Sequence, residues 1–345
     1  MSENITYGGQ AVIEGVMMRS PRFFSVACRR RNGEIFVRTE PVPAFFTRYA
    51  WARWPLLRGV FALADAMVLG MKALLWSANI AAEDDQIQGT GDRGQGSGET
   101  APAAPSTLRH QSSSPADPRP LAPVPCPEGT VSGLVVSGSV FVGMAIGIAL
   151  FVLTPSLLVG WLPKIGNPLA RNLLEGALRV GMFLGYIALI ARMAHVKRLF
   201  GYHGAEHKAI NGLEAAGVAD VQVARRQSTI HPRCGTNFVL TVLMVKVLLA
   251  SFFGWPVWWL RLLIRLAVLP ATAALAYEVI RLAGKYRQVK WLQWIVTPGL
   301  WTQRLTTREP DTSMLEVAVR SLQSVMEREQ ATSESAVSRQ PSAVS

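Results

Sequence analysis

The sequence predicts a mostly α-helical, polytopic membrane protein with about four transmembrane helices, a small N-terminal β unit and amphipathic C-terminal helices. Three observations indicate this fold class. Half of the 345 residues are hydrophobic and only 17% are charged. Ten tryptophans, a residue type that gathers at membrane interfaces, are present. The segment from Gly129 to Pro163 contains no charged residue and is long enough to cross a bilayer.

The formal net charge of +12 bears on the expected partners. A basic chain suits either nucleic acid or the cytoplasmic segments of a membrane protein, in which Lys and Arg accumulate. No basic stripe interleaved with aromatic residues is present, so we expect membrane lipids and no nucleic acid. The three cysteines, Cys28, Cys126 and Cys234, lack the spacing of a disulfide framework. We therefore expect reduced thiols that face the cytosol.

Residues 1–48 are predicted to form the β-rich unit, because Asn32-Gly33, a strong hairpin signal, separates two strand-like runs. Residues 49–82 are predicted to be an interfacial or re-entrant hydrophobic helix. From Trp54 to Ala82 only Arg58, Asp65 and Lys72 interrupt an apolar run, and they make such a helix about as plausible as a spanning one. The non-spanning helix is favoured because a fifth span would place the basic regions on opposite sides of the membrane. Residues 83–128 are rich in Gly, Ser, Pro, Gln and Thr and are predicted to be a disordered linker.

Two transmembrane hairpins are expected, at residues 129–194 and 237–284. Between them, residues 195–236 are basic and are therefore placed in the cytoplasm. Residues 285–330 are predicted to form interfacial and amphipathic helices, the last with one apolar stripe, Leu315, Val319, Leu322 and Met326. Residues 331–345 are predicted to be a disordered tail. Four spans place all the basic regions on the same side of the membrane.

The candidate site centres on His203-x-x-Glu206-His207. Positions i and i+4 share a helix face, so both imidazoles can bind one metal ion. The order of residues matches the inverted zincin motif, in which the glutamate is the general base, and we predict that role for Glu206. The alternative is a polar helix with incidental histidines. His231 or Cys234 supplies a third ligand, and such a set suits a divalent metal, above all zinc.

Two acidic residues are further candidates. Glu14 stands between Ile13 and Gly15, and is either an exposed strand residue or an acid directed into a site. Glu278 and Lys246 are expected at similar depth in a transmembrane hairpin. Glu278 is therefore either the ion-pair partner of Lys246 or an outer metal ligand, as charged groups at that depth need a partner or a polar cavity.

Four blocks of sequence resemble the YqhQ-like family of bacterial integral membrane proteins, which are described as predicted metal-dependent enzymes of unknown function. The blocks run from Gly8 to Arg19, Tyr202 to Ile210, His231 to Phe238 and Pro298 to Pro310. The resemblance implies a multi-pass protein of the bacterial cytoplasmic membrane. It carries over the motif residues His203, Glu206, His207, His231 and Cys234, with Glu14 and Arg308 as further polar members.

The favoured function is a metal-dependent hydrolase at the cytoplasmic face of the membrane. Arg19, Arg233 or Arg308 would bind an anionic substrate, and the location suggests a lipid-linked or membrane-protein substrate. The alternative is a non-catalytic scaffold or assembly factor with a structural zinc site, which would show four protein ligands. A transporter is disfavoured, since intramembrane charges are few and no inverted repeat is detected.

Overall fold

An antiparallel four-stranded sheet forms the N-terminal unit, as predicted. The computed structural model describes residues 5–43, 54–55, 57–91, 133–162, 166–286 and 288–338. The strands follow the order β1-β2-β3-β4 and are β1 Gly8–Val12, β2 Gly15–Arg19, β3 Phe23–Arg29 and β4 Ile35–Pro41. The β3–β4 hairpin turns at Asn32-Gly33, where Gly33 adopts φ 88°. Residues 1–4 and 44–48 of the predicted unit lie outside the described residues.

The described part of the chain continues with α-helices. Two short helices of other types interrupt the series, a π-helix at Ala149–Leu153 and a 3₁₀-helix at Ser251–Phe253. The α-helices are α1 Leu57–Gly91, α2 Gly133–Ile148, α3 Thr154–Gly160, α4 Pro168–Ile190, α5 Ala194–Ala216, α6 Val221–Arg225, α7 Gly235–Ala250, α8 Trp258–Ala267, α9 Leu269–Lys285, α10 Lys290–Thr306 and α11 Thr312–Ser338.

Helices cover both faces of the sheet, because its apolar side chains alternate between the two faces. One face packs against α5 and α11 through Val16, Met18 and Ala27. The opposite face packs against α1 through Met17, Val26 and Cys28. Burial on both sides explains why the two central strands, β2 and β3, are apolar at most positions. It also brings α5, which carries the candidate site, against β1 and β2.

Helix α11 is the amphipathic helix predicted from the stripe at Leu315, Val319 and Leu322, and these side chains are buried against the sheet and α5. The buried carboxylate of Glu329 joins the same helix to the sheet. It accepts hydrogen bonds from Ser20 Oγ at 2.5 Å and Arg22 Nε at 2.6 Å. The apolar stripe therefore builds the core of the N-terminal unit.

Two predicted boundaries of disorder are wrong in the described residues. Helix α1 continues through Gly91, so the first part of the predicted linker is helical. Its acidic residues there have partners in the β3–β4 turn, since Glu83 accepts from Arg30 and Asp84 from the backbone N–H of Arg31. Helix α11 likewise continues to Ser338, with Ser333 bound by Arg22. Residues 92–128 and 339–345 lie outside the described residues.

Four helical segments of the described chain are long and apolar enough to cross a membrane: Leu57–Asp85, Gly138–Gly160, Pro168–Ile190 and Gly235–Phe253. Helices α8 and α9 together form a fifth, bent by 43°. The bend lies where Pro270, at the start of α9, removes a backbone donor. The predicted fourth span is therefore a bent helix pair. Helix α1 satisfies the criterion for spanning, so its placement outside the bilayer stays a prediction.

The Glu329 contacts give a pH-dependent prediction. Burial raises the pKa of this carboxyl, but the hydrogen bonds from Ser20 and Arg22 outweigh burial and hold the pKa below its ordinary value. The stabilisation is therefore complete above the unfolded pKa and is lost as pH falls through the lower native pKa. We expect Glu329→Gln to cost roughly 2 kcal/mol at neutral pH, a few degrees of Tm.

Thermal unfolding of both proteins over a pH series checks this expectation. The difference in Tm between wild type and Glu329→Gln should shrink as pH falls through the lowered native pKa, because the carboxylate of the wild type then becomes neutral as well. Glu327→Gln is the matched control, because Glu327 lies on the same helix with its side chain 66% exposed. A difference that stays constant at every pH would contradict the role of the Glu329 carboxylate.

Candidate metal centre

Helix α5 carries the His203-x-x-Glu206-His207 motif in a buried environment. Glu206 is 4% exposed and His207 is fully buried. Glycine makes this burial possible, since a Cβ at Gly204 would lie 2.0 Å from the carbonyl oxygen of Arg308. The chain between α10 and α11 therefore passes directly over the backbone of the motif. A close approach of this kind accepts only glycine.

Backbone carbonyls fix the orientation of both motif histidines. His203 Nδ1 lies 2.8 Å from the carbonyl oxygen of Thr306, at the end of α10. His207 Nδ1 lies 2.5 Å from the carbonyl oxygen of Thr229, in the loop before α7. A carbonyl oxygen only accepts, so each Nδ1 carries the hydrogen and donates it. In the neutral rings, each Nε2 then presents a lone pair, as in most metal-ligating histidines.

The two lone pairs converge with a thiol. The ligand atoms of His203, His207 and Cys234 all lie within 4.8 Å of one another. His203 Nε2 is 3.2 Å from Cys234 Sγ. His207 Nε2 is buried without a hydrogen-bond partner among the described residues. A buried nitrogen without a partner is costly in a protein interior, and a metal ion would satisfy it. The cluster can therefore hold a metal ion.

The loop from His231 to Cys234 supplies the thiol and leaves His231 beside the cluster. Cys234 is the N-cap residue of α7 and accepts from the backbone N–H of Thr236 at 3.4 Å. Gln303 fixes the peptide of His231 by accepting from its N–H and donating to its carbonyl, both at 2.8 Å. Of the two third ligands that the sequence left open, the structure therefore groups Cys234 with the motif histidines.

The His231 ring lies next to the cluster without joining it. Its centroid is 5.7 Å from that of His207, and its Nε2 is 3.6 Å from a carboxylate oxygen of Glu214. Burial, together with the neighbouring His207 and Arg233, lowers the pKa of His231 to about 4, although Glu214 acts in the opposite direction. The ring is therefore neutral at pH 7 and adds no positive charge beside the donor atoms.

Glu206 lies beside the donor atoms. Its Oε2 lies 4.0 Å from His203 Nε2. The backbone N–H of Gly9 donates to the carboxylate, which ties the motif to strand β1. Burial raises the pKa of Glu206 to about 7, although His203 and the Gly9 hydrogen bond act in the opposite direction. A carboxyl with a pKa near neutrality can both accept and return a proton.

The remaining predicted acids lie away from the donor atoms. Glu14 occupies the β1–β2 turn with φ 51° and accepts from Arg198 and from the Tyr202 hydroxyl. It therefore positions helix α5 on the sheet. Glu278 accepts two hydrogen bonds from Arg58 of α1, so it is neither paired with Lys246 nor grouped with the cluster. The rise per residue predicted a similar depth for Glu278 and Lys246, but it could not predict which side of its helix each residue faces.

The three arginines that were predicted to bind an anionic substrate lie in different parts of the structure. Arg308 donates to the Ala191 carbonyl at 3.4 Å, and its backbone N–H donates to Phe200. Arg233 pairs with Glu214, next to His231. Arg19, at the end of β2, lies near Asp65 of α1. Arg233 is connected to the cluster through Glu214, which also contacts His231. The backbone of Arg308 packs against the motif helix α5.

Sequence reasoning missed the residues that orient the ligands. Thr229, Thr306 and Gly9 act through backbone atoms, which have no side-chain signature. Gln303, whose side chain is fully buried, was identifiable in principle from the sequence. It is a polar amide within the family block from Pro298 to Pro310, in a helix that was otherwise predicted to be interfacial.

Comparison with known proteins gives a family without an assigned activity. The family described as "Protein of unknown function (DUF1385)" matches residues 54–328. The chain is 30% identical over 332 residues to "Uncharacterized protein YqhQ" of Bacillus subtilis (strain 168), a match that covers 94% of this chain and 93% of the relative. No solved structure matches.

The close approach at Gly204 gives a mutational prediction. In Gly204→Ala the new Cβ collides with the Arg308 carbonyl, so the segment that follows Thr306 must move. We expect a loss of about 2–4 kcal/mol of stability, seen as a lower Tm. Gly181→Ala is the matched control, because a Cβ at this helical glycine meets nothing within 4 Å. Equal melting of the two variants would contradict the packing described for α5.

Proposed function

The chain belongs to the DUF1385 family, whose function is unknown, and from its site we propose that it is a membrane-bound, zinc-dependent hydrolase. Both matches also confirm the resemblance to the YqhQ-like family. The observation that carries the proposal is the convergence of His203, His207 and Cys234 beside the buried Glu206. An alternative function must account for the same four side chains.

The donor set supports zinc over harder cations. Two imidazole nitrogens and one thiol sulfur are ligands that zinc prefers, whereas Mg²⁺ and Ca²⁺ prefer oxygen. Three converging protein ligands leave a fourth position free, which is the arrangement of catalytic zinc sites. The carbonyls of Thr229 and Thr306 supply the outer hydrogen bonds that such histidines need.

Glu206 would act as the general base of a hydrolytic reaction. Zinc in such a site makes water acidic enough to be deprotonated near neutral pH. The Glu206 carboxylate, 4.0 Å from His203 Nε2, is within reach of a water placed between it and the donor atoms. In that role Glu206 would accept the proton of the attacking water and return it to the leaving group.

The surroundings support a substrate at the membrane surface. Cys234 immediately precedes α7, the helix of the candidate span Gly235–Phe253, so the cluster lies at the end of that span. A groove of about 630 Å³ runs past Ile210, Leu213, Glu214 and Arg233, and Glu214 also approaches His231. We propose a lipid-linked or membrane-protein substrate, with Arg233 available to an anionic group.

The basic residues favour a cytoplasmic orientation for this surface. Lys197, Arg198, Lys208, Arg225 and Arg226 accompany the motif in the segment 195–236. Lys and Arg accumulate on the cytoplasmic side of membrane proteins. We therefore propose a multi-pass protein of the bacterial cytoplasmic membrane whose metal centre faces the cytoplasm.

Metal analysis of the purified protein tests the proposal. We expect about one zinc per chain in the wild type and in Glu206→Gln, because Glu206 is a base and not a ligand. His207→Ala should lose the metal, since it removes a ligand whose ring is fully buried. His195→Ala is the matched control, an exposed histidine at the start of the same helix.

Each outcome separates the candidate functions. A wild type without metal would sink both the hydrolase and the alternative of a scaffold with a structural zinc site. Loss of metal in Glu206→Gln would show that the carboxylate is a fourth ligand, and the closed scaffold site would then be favoured.

A second comparison identifies the third ligand. Cys234→Ser should weaken zinc binding by at least about tenfold, because it replaces a soft sulfur donor that lies 3.2 Å from His203 Nε2. His231→Asn should bind zinc with nearly wild-type affinity, since its ring lies outside the group of donor atoms. Zinc titration against a competing chelator measures both affinities. The reverse result would exchange the assignments of Cys234 and His231.

A further inference from the structure

A second polar cluster lies among the candidate spans, toward the other end of α7. Lys246 follows Cys234 by twelve residues, about 18 Å along the helix axis at a rise of about 1.5 Å per residue. Helices α4 and α8 surround it with four more ionisable side chains, each less than one-tenth exposed: Glu175, Arg179, Arg261 and Arg265. The distance separates this cluster from the proposed metal centre, so its function is a separate question.

The cluster contains four cations and one carboxylate. Glu175 is the only acidic residue in residues 129–205 and 235–277 of the sequence. Its two oxygens already accept from Arg179, at 2.5 Å, and from Arg265. One carboxylate compensates one positive charge, so the group as a whole keeps a positive excess. An uncompensated charge is costly in a protein interior and more so within a bilayer.

Two of the cations lack an acidic partner. Lys246 makes no hydrogen bond or ion pair with any residue that the structure describes. The Nε of Arg261 is buried without a hydrogen-bond partner in the same residues. The Arg261 guanidinium lies 4.0 Å from the centre of the Trp255 ring. That stacking stabilises the cation but does not neutralise it.

Both cations face one small pocket. Lys246, Arg261, Arg265 and Asn172 line it, and Asn172 donates to the Gly254 carbonyl, which holds the loop that closes one side. The pocket has a volume of about 20 Å³, which admits about one water-sized group. Large apolar side chains are exposed nearby, with Phe252 78% exposed and Trp258 67% exposed.

We infer that this pocket binds an oxyanion of phosphate type, with one of its oxygens between Lys246 and Arg261. An ammonium and a guanidinium both donate to phosphoryl oxygens, and the negative charge offsets the positive excess of the cluster. The small volume leaves the rest of the ligand outside the pocket, against the apolar rim. An anionic phospholipid has this form, and free phosphate supplies the same chemistry.

Lipid titration of the full-length protein tests the inference. The delipidated protein in a neutral detergent is titrated separately with phosphatidylglycerol, phosphatidylcholine and inorganic phosphate, and Tm is recorded. We expect a saturable rise in Tm with phosphatidylglycerol and none with phosphatidylcholine. The double variant Lys246→Met/Arg261→Met should require at least about tenfold more phosphatidylglycerol, since both donors to the oxyanion are lost.

A charge-matched control separates the pocket from general attraction between a basic protein and an anionic lipid. Arg192→Met/Lys197→Met removes two exposed cations near the other end of α4. This variant should respond to phosphatidylglycerol as the wild type does. Equal responses of the two double variants would overturn the inference, and so would a wild type that responds to neither phosphatidylglycerol nor phosphate.

The Tm of the variants without lipid is a second test of the inference. Lys246 has no hydrogen-bond or ion-pair partner in the described residues, so Lys246→Met should melt no lower than the lipid-free wild type. Arg261→Met also loses the stacking on Trp255 and should melt slightly lower. A large drop in Tm for Lys246→Met would show that this cation has a protein partner and would contradict the inference. A rise with phosphate as large as that with phosphatidylglycerol would support the pocket and identify a free oxyanion as its ligand.

Discussion

The hydrogen bonds from two histidine side chains to two backbone carbonyls hold the centre of this protein together. His203 reaches the carbonyl of Thr306 at the end of α10, and His207 reaches that of Thr229 in the loop before α7. One helix thereby fixes two segments that are far apart in sequence. The same bonds determine the tautomers of both rings, so the fold and the chemistry of the donor atoms depend on one set of contacts.

The burial of a polar helix follows from this arrangement. Eleven residues of α5 are buried, among them Glu206, His207 and Lys208. Lys208 donates to the Arg225 carbonyl at 3.0 Å and pairs with Glu309, and Glu206 accepts from Gly9. The buried Nε2 of His207 has no such partner in the described residues. Nε2 of the neighbouring His231 also lacks a hydrogen-bond partner there. Buried nitrogens without partners among satisfied neighbours suit a ligand site, because an unpaired polar group is costly in a protein interior.

The sequence predicted the sheet, the apolar helices and the motif, since each depends on local patterns: a hairpin signal, hydropathy and i, i+4 spacing. It did not predict that Glu83 and Ser333 lie in helices, because their partners Arg30 and Arg22 lie in the turns that flank β3, far away in the sequence. The choice between His231 and Cys234 was equally non-local. The backbone of His231 is fixed by the amide of Gln303, which lies 72 positions away in the sequence.

The positions of the two polar clusters on α7 constrain how the protein can work. Cys234 stands at the start of this helix and Lys246 near its end, about 18 Å apart along the axis. A single headgroup cannot contact both, so an oxyanion beside Lys246 would not be the reacting group of the proposed hydrolysis at Glu206. Helix α7 packs against α4, α9 and α10. It contributes a residue to each cluster, with Cys234 at its start and Lys246 near its end. An anion that neutralises the Lys246 cluster would stabilise α7 against α4, and through α7 the position of Cys234. The oxyanion pocket is therefore better understood as support for the scaffold than as part of the reaction.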